Sequence, residues 1–299
     1  MFILHIDSGV EMRGGQWQAL YLIRGLAAAG HQVRLLTPAE SPLMEHAHTD
    51  GIDARPLGIA ALAGATSGVH LIHAHDARAH TLALLGGKPV IVSRRVAFPV
   101  RRGVGSRWKY GRAAHYIAVS QCVKQTLLDA DIAPERITVV YDGVPIENRR
   151  PKTQGRSGVL ALDSDDPGKS KDIVEQAGAI ANIDVCFSKK LIQDLRSAAV
   201  FVYITELEGL GSAALLAMAA GAVVLASRVG GLPEIVEDGV TGLLTINDPR
   251  AVAQGIERLL RDPILAARLS AAARARVEQE FTIDRMLNGT IAVYERMLN

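Results

Sequence analysis

The chain has 299 residues, 48% of them hydrophobic, which is enough for two domains with separate cores, and its net charge is only +2. Its two cysteines, Cys122 and Cys186, lie far apart without a C-x-x-C spacing, which excludes a disulfide framework or a cysteine zinc site and fits a reducing, cytoplasmic compartment. The longest uncharged apolar run, 213–226, falls short of the ~20 residues that cross a bilayer, and the run at 2–6 lacks the flanks of a secretory leader, so neither is expected.

Residues 2–6 predict a buried first strand, bounded by Asp7-Ser8-Gly9. After Gly14-Gly15, the spacing of Trp17, Leu20, Tyr21, Ile23, Leu26 and Ala27 predicts a helix with one apolar face, stopped at Gly30. Residues 32–36 supply the next strand. Such a unit calls for a parallel sheet with a ligand at the carboxyl ends of its strands. The glycine pair lacks the spacing of a dinucleotide fingerprint, so no nicotinamide or flavin site is expected; it is either a tight turn or a place where amides face an anion.

Residues 69–73 read as a strand running into His73-Ala74-His75-Asp76. Two histidines at a strand end suit a metal, but no third ligand with suitable spacing follows, so no metal site is expected. The plain alternative for His75 is a solvated strand-end side chain.

A strand at 89–93 precedes RRVAFPVRRGVGSRWKYGRAA, in which Arg94, Arg95, Arg101 and Arg102 alternate with Phe98, Trp108 and Tyr110. No acidic residue occurs between Asp76 and Asp129, and residues 1–150 carry 17 Lys and Arg against 12 Asp and Glu. Cations mixed with rings suit an anionic acceptor or a membrane headgroup layer. A solvated loop is the plain alternative. An RNA patch comes last, because no nucleic-acid-binding module accompanies the segment.

A strand at 116–119, a helix at 120–128 and a strand at 137–140 lead to Tyr141-Asp142-Gly143-Val144, and the charged, turn-rich stretch 145–158 reads as a linker. The strand Val159–Leu162 then enters Asp163-Ser164-Asp165-Asp166-Pro167-Gly168-Lys169-Ser170 and a helix ending near 181. Gly-Lys-Ser invites a phosphate loop, but Asp163 stands where its first glycine belongs, and three aspartates repel phosphates. Strand, helix and strand are expected at 183–187, 189–198 and 200–204.

The most informative stretch is 205–244. Glu208 stands against Gly209-Leu210-Gly211, then Ser212 opens an apolar helix to Ala220, and Gly221 precedes a strand from Val223. The glycines leave room for an anion or a sugar hydroxyl to approach the amides, and Ser212 can cap the helix. A plain core helix and strand would account for the apolar residues but not for Glu208 wedged against two glycines. Amphipathic helices at 249–260, 263–279 and 282–298 complete the chain.

As a set, Glu208, Gly209, Gly211, Ala217, Met218, Ala219, Gly221, Val223, Val224, Gly230, Gly231, Glu234, Asp238, Gly239 and Gly242 resemble the donor-binding segment of the retaining glycosyltransferases of the GT-B fold, family 4. That family's pattern runs roughly E-G-F-G-x-x-x-x-E-A-M-A-x-G-x-P-V-V, then G-G-x-x-E, then D-G-x-x-G. Gly14-Gly15 is similar to its glycine-rich loop, His73-Ala74-His75 to its I-x-H-x-H element, and 117–144 to the close of its first domain, with Asp142 in place of the usual asparagine.

The resemblance implies an α/β protein of two Rossmann-like domains facing across a cleft: an acceptor-side domain at 1–145, a shortened nucleotide-sugar domain at 146–281, and a helix at 282–299 packing back on the first. It implies metal-independent transfer of a sugar, with retention, from a UDP- or GDP-linked donor to an acceptor hydroxyl. No cofactor is implied, and the product class is bacterial envelope polysaccharide or glycolipid.

In that chemistry Glu208 holds donor-sugar hydroxyls, Lys169 the diphosphate, and His75 the sugar from the other wall. Amides around Gly14, Gly15, Gly209, Leu210, Gly211 and Ser212 meet phosphate and sugar. The acceptor or membrane face is Arg94, Arg95, Arg101, Arg102 and Trp108, at the inner face of the membrane.

Two of the departures from the family bear on the donor's ribose and diphosphate. Its second glutamate, which holds the ribose, falls at Leu216, and the arginine that joins the lysine on the diphosphate falls at or near Asp163. Losing that cation costs several kcal/mol in the transition state unless Lys171 or another arginine substitutes. These departures motivate an alternative, a partner subunit that binds a nucleotide sugar with little or no turnover.

Overall fold

A computed structural model describes residues 1–101, 103–146 and 156–298, so Arg102 and residues 147–155 of the expected linker lie outside the described residues. The chain divides into two compact units, Met1–Gly143 with Ile283–Asn299, and Val144–Thr282. The sequence reading places the corresponding boundaries at 145/146 and 281/282.

The first unit carries a seven-stranded sheet: β1 (Phe2–Ile6), β2 (Gln32–Thr37), β3 (Asp53–Pro56), β4 (Leu71–Ala74), β5 (Val90–Arg94), β6 (His115–Ala118) and β7 (Ile137–Val139). Its order is β3-β2-β1-β4-β5-β6-β7, and every pairing is parallel. Central strands of such a sheet are covered on both faces, which is why β1 and β4 are apolar runs rather than alternating ones.

The helix Gly14–Ala28 crosses from β1 to β2 and buries Leu20, Leu22, Ile23 and Leu26. The helix Ile283–Leu298 buries Met286, Thr290, Val293 and Tyr294, one stripe at helical spacing, against Ile3, Leu22, Leu71, Ile91 and Val140 of this unit.

The second unit has five parallel strands: β8 (Val159–Leu162), β9 (Val185–Ser188), β10 (Val200–Tyr203), β11 (Val223–Ser227) and β12 (Leu243–Thr245). They lie in the order β12-β11-β10-β8-β9. Counted within the unit this is the 2-1-3-4-5 arrangement of doubly wound sheets. Val174, Val202, Leu225, Val252, Ile256 and Leu269 form its core.

Some local expectations change. The helix expected over 189–198 is a single turn, Leu191–Asp194, entered through Ser188, which accepts from the Lys190 amide (3.0 Å) and donates to Asp194 (2.5 Å). The sequence reading leaves 38–68 unassigned, yet it holds the helices Pro42–Thr49 and Ile59–Ala65 and the edge strand β3, of which no residue is fully buried.

Candidate functional site

In each sheet the connections reverse direction between two neighbouring strands, and the crevice beyond their carboxyl ends is where open α/β sheets bind ligands. In the second unit those strands are β8 and β10. The chain leaves β8 through Asp163 and a short turn at Pro167–Lys169, whose cap Asp166 accepts from the Gly168 amide at 3.0 Å. It leaves β10 through Thr205 to Glu208.

One carbonyl stitches the two exits together: Gly168 accepts from Thr205 Oγ1 at 2.8 Å and from the Glu206 amide at 2.9 Å. Thr205 is held in turn by Ser227 at the end of β11 (2.9 Å) and by Asn247 (2.9 Å). These bonds fix the loop that presents Glu208.

Lys169 Nζ donates to Glu208 Oε2 at 2.6 Å and to the Tyr203 hydroxyl at 2.7 Å. The Glu208 Oε1 atom accepts from the Gly209 amide at 3.0 Å. The Lys169 and Glu208 side chains keep 20% and 16% of their surface open, enough to meet a ligand. Two groups chosen from segments 39 residues apart therefore share one place.

Gly209, Leu210 and Gly211 follow directly. Gly211, at φ +111, is the residue that caps the helix Ser212–Ala220. The expectation that Ser212 caps is corrected: Ser212 is the first helical residue, and its side chain makes no cap bond.

Gly230 and Gly231 press on the same loop, the Gly231 amide donating to the Glu208 carbonyl at 3.0 Å. Leu216 lies half-buried on the helix and brings no carboxylate. Asp163, where the resemblance implies an arginine, is paired with Lys171 at 2.8 Å and lies 3.8 Å from Lys189. Lys171 thus stands beside the position where the resemblance implies an arginine, with its charge partly offset by Asp163.

In the first unit the reversal lies between β1 and β4, whose register sets His5 opposite His73. Gly14 and Gly15 are the first residues of a helix rather than a free loop, and Arg95 lies against Gly15. Asp7, at the end of β1, accepts from the Gly9 amide (2.8 Å) and Gln16 Nε2 (3.0 Å). Burial raises its pKa.

His75 is not solvated. It is buried, with Nε2 2.9 Å from His5 Nδ1 and Nδ1 3.2 Å from the Arg95 guanidinium. A guanidinium only donates, so His75 Nδ1 accepts, Nε2 carries the proton and donates to His5, and His5 keeps its own proton on Nε2. That buried Nε2 finds no partner among the described residues. Both nitrogens of His73 are engaged, Nδ1 with Tyr294 (2.5 Å) and Nε2 with Ser93 (2.8 Å).

The sequence argument that no third ligand accompanies the histidine pair is corrected by His5: the three rings offer nitrogens within 4.8 Å of one another. The donor pattern nevertheless runs against a cation. Lone pairs are committed to neighbours, and Arg95 brings a positive charge beside them.

Burial depresses the pKa of these histidines, with Arg95 adding to it: His5 to about 3, His73 and His75 well below 6.5. Burial also lowers His80 to about 3 and His115 to about 4. The unfolded chain takes up protons below about pH 6.5 that the folded one refuses, so this stability is complete above that pH and is lost as the pH falls, at up to about 1.4 kcal/mol per histidine per unit. Calorimetric unfolding between about pH 7 and pH 4.5 is expected to show Tm falling, less steeply in His80→Gln; a flat profile contradicts the burial.

The arginines separate. Arg95 is turned inward, its side chain 12% exposed and paired with Asp142 at 3.2 Å, so it does not belong to an outer face. Arg94 is half-buried and donates to Tyr110 Oη at 2.8 Å and to the Phe98 carbonyl. Arg101 and Trp108 are exposed, and Arg102 lies outside the described residues. The pairing of His5, the Arg95–Asp142 contact and Tyr203 escaped the sequence reading, each being a strand or loop residue whose partner is remote in the chain.

Residues 12–148 match the pattern of Glycosyltransferase Family 4, and residues 155–276 that of Glycosyl transferases group 1. An alpha-maltose-1-phosphate synthase of Mycolicibacterium smegmatis is 37% identical over 115 residues, 36% of this chain and 30% of that protein. A D-inositol 3-phosphate glycosyltransferase of Frankia alni is 30% identical over 266 residues, 70% of this chain and 64% of that protein. The chain thus matches less than two thirds of the length of these relatives.

Among solved structures, Anabaena HepE in complex with UDP-glucose has a TM-score of 0.86 at 16% identity, covering 99% of this chain and 100% of that one. The sucrose-phosphate synthase of Thermosynechococcus elongatus has 0.79 at 18%, covering 99% and 98%.

Proposed function

The chain belongs to the group 1, family 4 glycosyltransferases of the GT-B fold, and from that premise we propose that it moves a sugar from a nucleotide-sugar donor to an acceptor hydroxyl, with retention and without a metal ion. The observation that carries this reading is the meeting of Lys169 and Glu208 at the reversal point of the second sheet. On it, Glu208 takes hydroxyls of the donor sugar, while Lys169 and the amides from Gly209 to Ser212 take the diphosphate. As the anomeric C–O bond breaks, the leaving diphosphate receives the acceptor proton and the acceptor oxygen bonds to the same face of the sugar. Lys169 stabilises charge that grows on the diphosphate, where a fixed cation is most effective.

In the first unit the corresponding candidate is the helix start at Gly14 and Gly15, whose amides suit a phosphate, with the Arg95 side chain beside Gly15. Of the UDP- and GDP-linked donors expected, the UDP-glucose complex of the Anabaena protein favours the UDP-linked one. The test is nucleoside diphosphate release from a panel of nucleotide sugars, with and without EDTA, and product anomer by NMR. Turnover that EDTA leaves unchanged is expected; turnover that requires a divalent ion overturns the metal-independent part. Tight binding without turnover on any acceptor would instead support the partner-subunit reading that Leu216 and Asp163 favour.

The acceptor side rests on Phe98, Val104 and Trp108, which are 62%, 83% and 54% exposed. They stand among Arg101, Arg107 and Arg112 on or beside the helix Val104–Arg112, which buries none of its residues. Such a face fits an anionic, lipid-linked acceptor at the inner membrane surface, in envelope polysaccharide or glycolipid synthesis, with about 1 kcal/mol gained per cation near the charged layer. No helix among the described residues is long and apolar enough to cross a membrane. Co-sedimentation with phosphatidylglycerol vesicles is expected, weakened by salt and by Phe98→Ala with Trp108→Ala; equal recovery with neutral vesicles contradicts it.

A further inference from the structure

Tyr203 ends β10 with a side chain that is almost wholly buried, its ring stacked on Phe201 with centroids 5.8 Å apart. Its hydroxyl lies 2.5 Å from Glu208 Oε2 and 2.7 Å from Lys169 Nζ, and the ammonium stands 4.9 Å from the ring centroid. An ammonium only donates and a carboxylate only accepts, so the phenol proton points at Glu208 and an oxygen lone pair faces Lys169. Burial, reinforced by the Glu208 charge, raises the phenol pKa well above its usual value, and the proton stays in place through the neutral range.

Lys169 and Glu208 stand on loops at the strand ends, whereas Tyr203 belongs to β10. The phenol bonds both the ammonium and the carboxylate, so it sets the spacing between the two groups that a donor's diphosphate and hydroxyls would meet.

Resting on the glycosyltransfer reading, we propose that Tyr203 is a positioning residue, which keeps Glu208 aimed at the donor's hydroxyls and Lys169 at its diphosphate. Nothing in the sequence resemblance assigns this position a role. A tyrosine in a strand reads as core.

Tyr203→Phe keeps the ring and removes only the hydroxyl. It is expected to lower kcat/KM for the nucleotide sugar about 10- to 100-fold, the usual range for a hydrogen bond to a charged group. In a Glu208→Gln background the same change is expected to cost less than about 3-fold, because the two residues act as one unit. Binding of the bare nucleoside diphosphate should change less than binding of the intact donor.

If the phenylalanine variant does not fold, fluorotyrosine at position 203, which keeps the ring and hydroxyl and alters only its strength as a donor, is expected to change kcat/KM in the wild-type background and not with Glu208→Gln. Undiminished kcat/KM, or equal losses with and without Glu208, overturns the inference and leaves the transferase reading standing. A wild type that neither binds nor turns over a nucleotide sugar removes both.

Discussion

Lys169→Ala is expected to lower kcat/KM for a nucleotide-sugar donor by about 100- to 1,000-fold, the range seen when a fixed stabiliser of transition-state charge is removed. The family resemblance places two cations at the diphosphate, one of them at or near Asp163, so on the proposed reading Lys169 carries more of the load. Lys171 is paired with Asp163 at 2.8 Å, so part of its charge is offset. Stability should fall much less, by about 1–2 kcal/mol, because the carboxylate left behind keeps bonds from Tyr203 and the Gly209 amide. Initial rates read beside urea unfolding separate the two effects. A variant that unfolds with its loss of activity would make Lys169 a structural residue.

The second large effect is expected at Gly230. This residue has φ +55, and a Cβ there would lie 2.0 Å from the backbone oxygen of Glu208, a contact no side chain can make. Gly230→Ala must therefore push the Glu208 loop off its place or unwind the turn, at about 3 kcal/mol or more, with kcat/KM falling alongside. Gly239→Ala is the control, with a similar φ of +74 but nothing within 4 Å of the added atom. It should cost only the conformational penalty of about 1–2 kcal/mol. Equal midpoints for the two variants in urea would show that the close approach to Glu208 does not matter.

Much of this is visible in the residue order. Buried parallel strands such as β1, β8 and β11 are short apolar runs with turn residues at their ends, and the amphipathic helices carry their stripe in plain view. Glycines that must pass close to another backbone are visible for the same reason, since no other residue fits. In segment 38–68 the helix start is written as Ser41 capping before Pro42, with Leu43, Met44 and Ala47 on one face, a signal the sequence reading leaves unassigned. The strand β3 of that segment, Asp-Ala-Arg-Pro, is a sheet edge with little to bury, so no apolar pattern marks it.

The polar part of the site is legible only halfway. Glu208 and Lys169 stand out by chemistry, but that they touch follows from the order of β8 and β10, which no local pattern encodes. His5 is a polar residue inside an apolar strand, and its meaning appears only when β4 is laid beside β1. Arg95 reads as one of a row of surface cations, yet Asp142 and His75 draw it inward. That pairing also gives a physical place to the aspartate that departs from the family's asparagine.

Titration calorimetry of UDP-, GDP- and ADP-linked sugars into the intact protein and into Glu208→Ala reaches the centre of the account. At least one nucleotide sugar should bind the wild type, and the variant should lose most of the affinity gained from the sugar while still binding the bare nucleoside diphosphate. Equal binding of the intact donor by both proteins, or no binding by either, would mean that the carboxylate beside Lys169 does not mark a donor site.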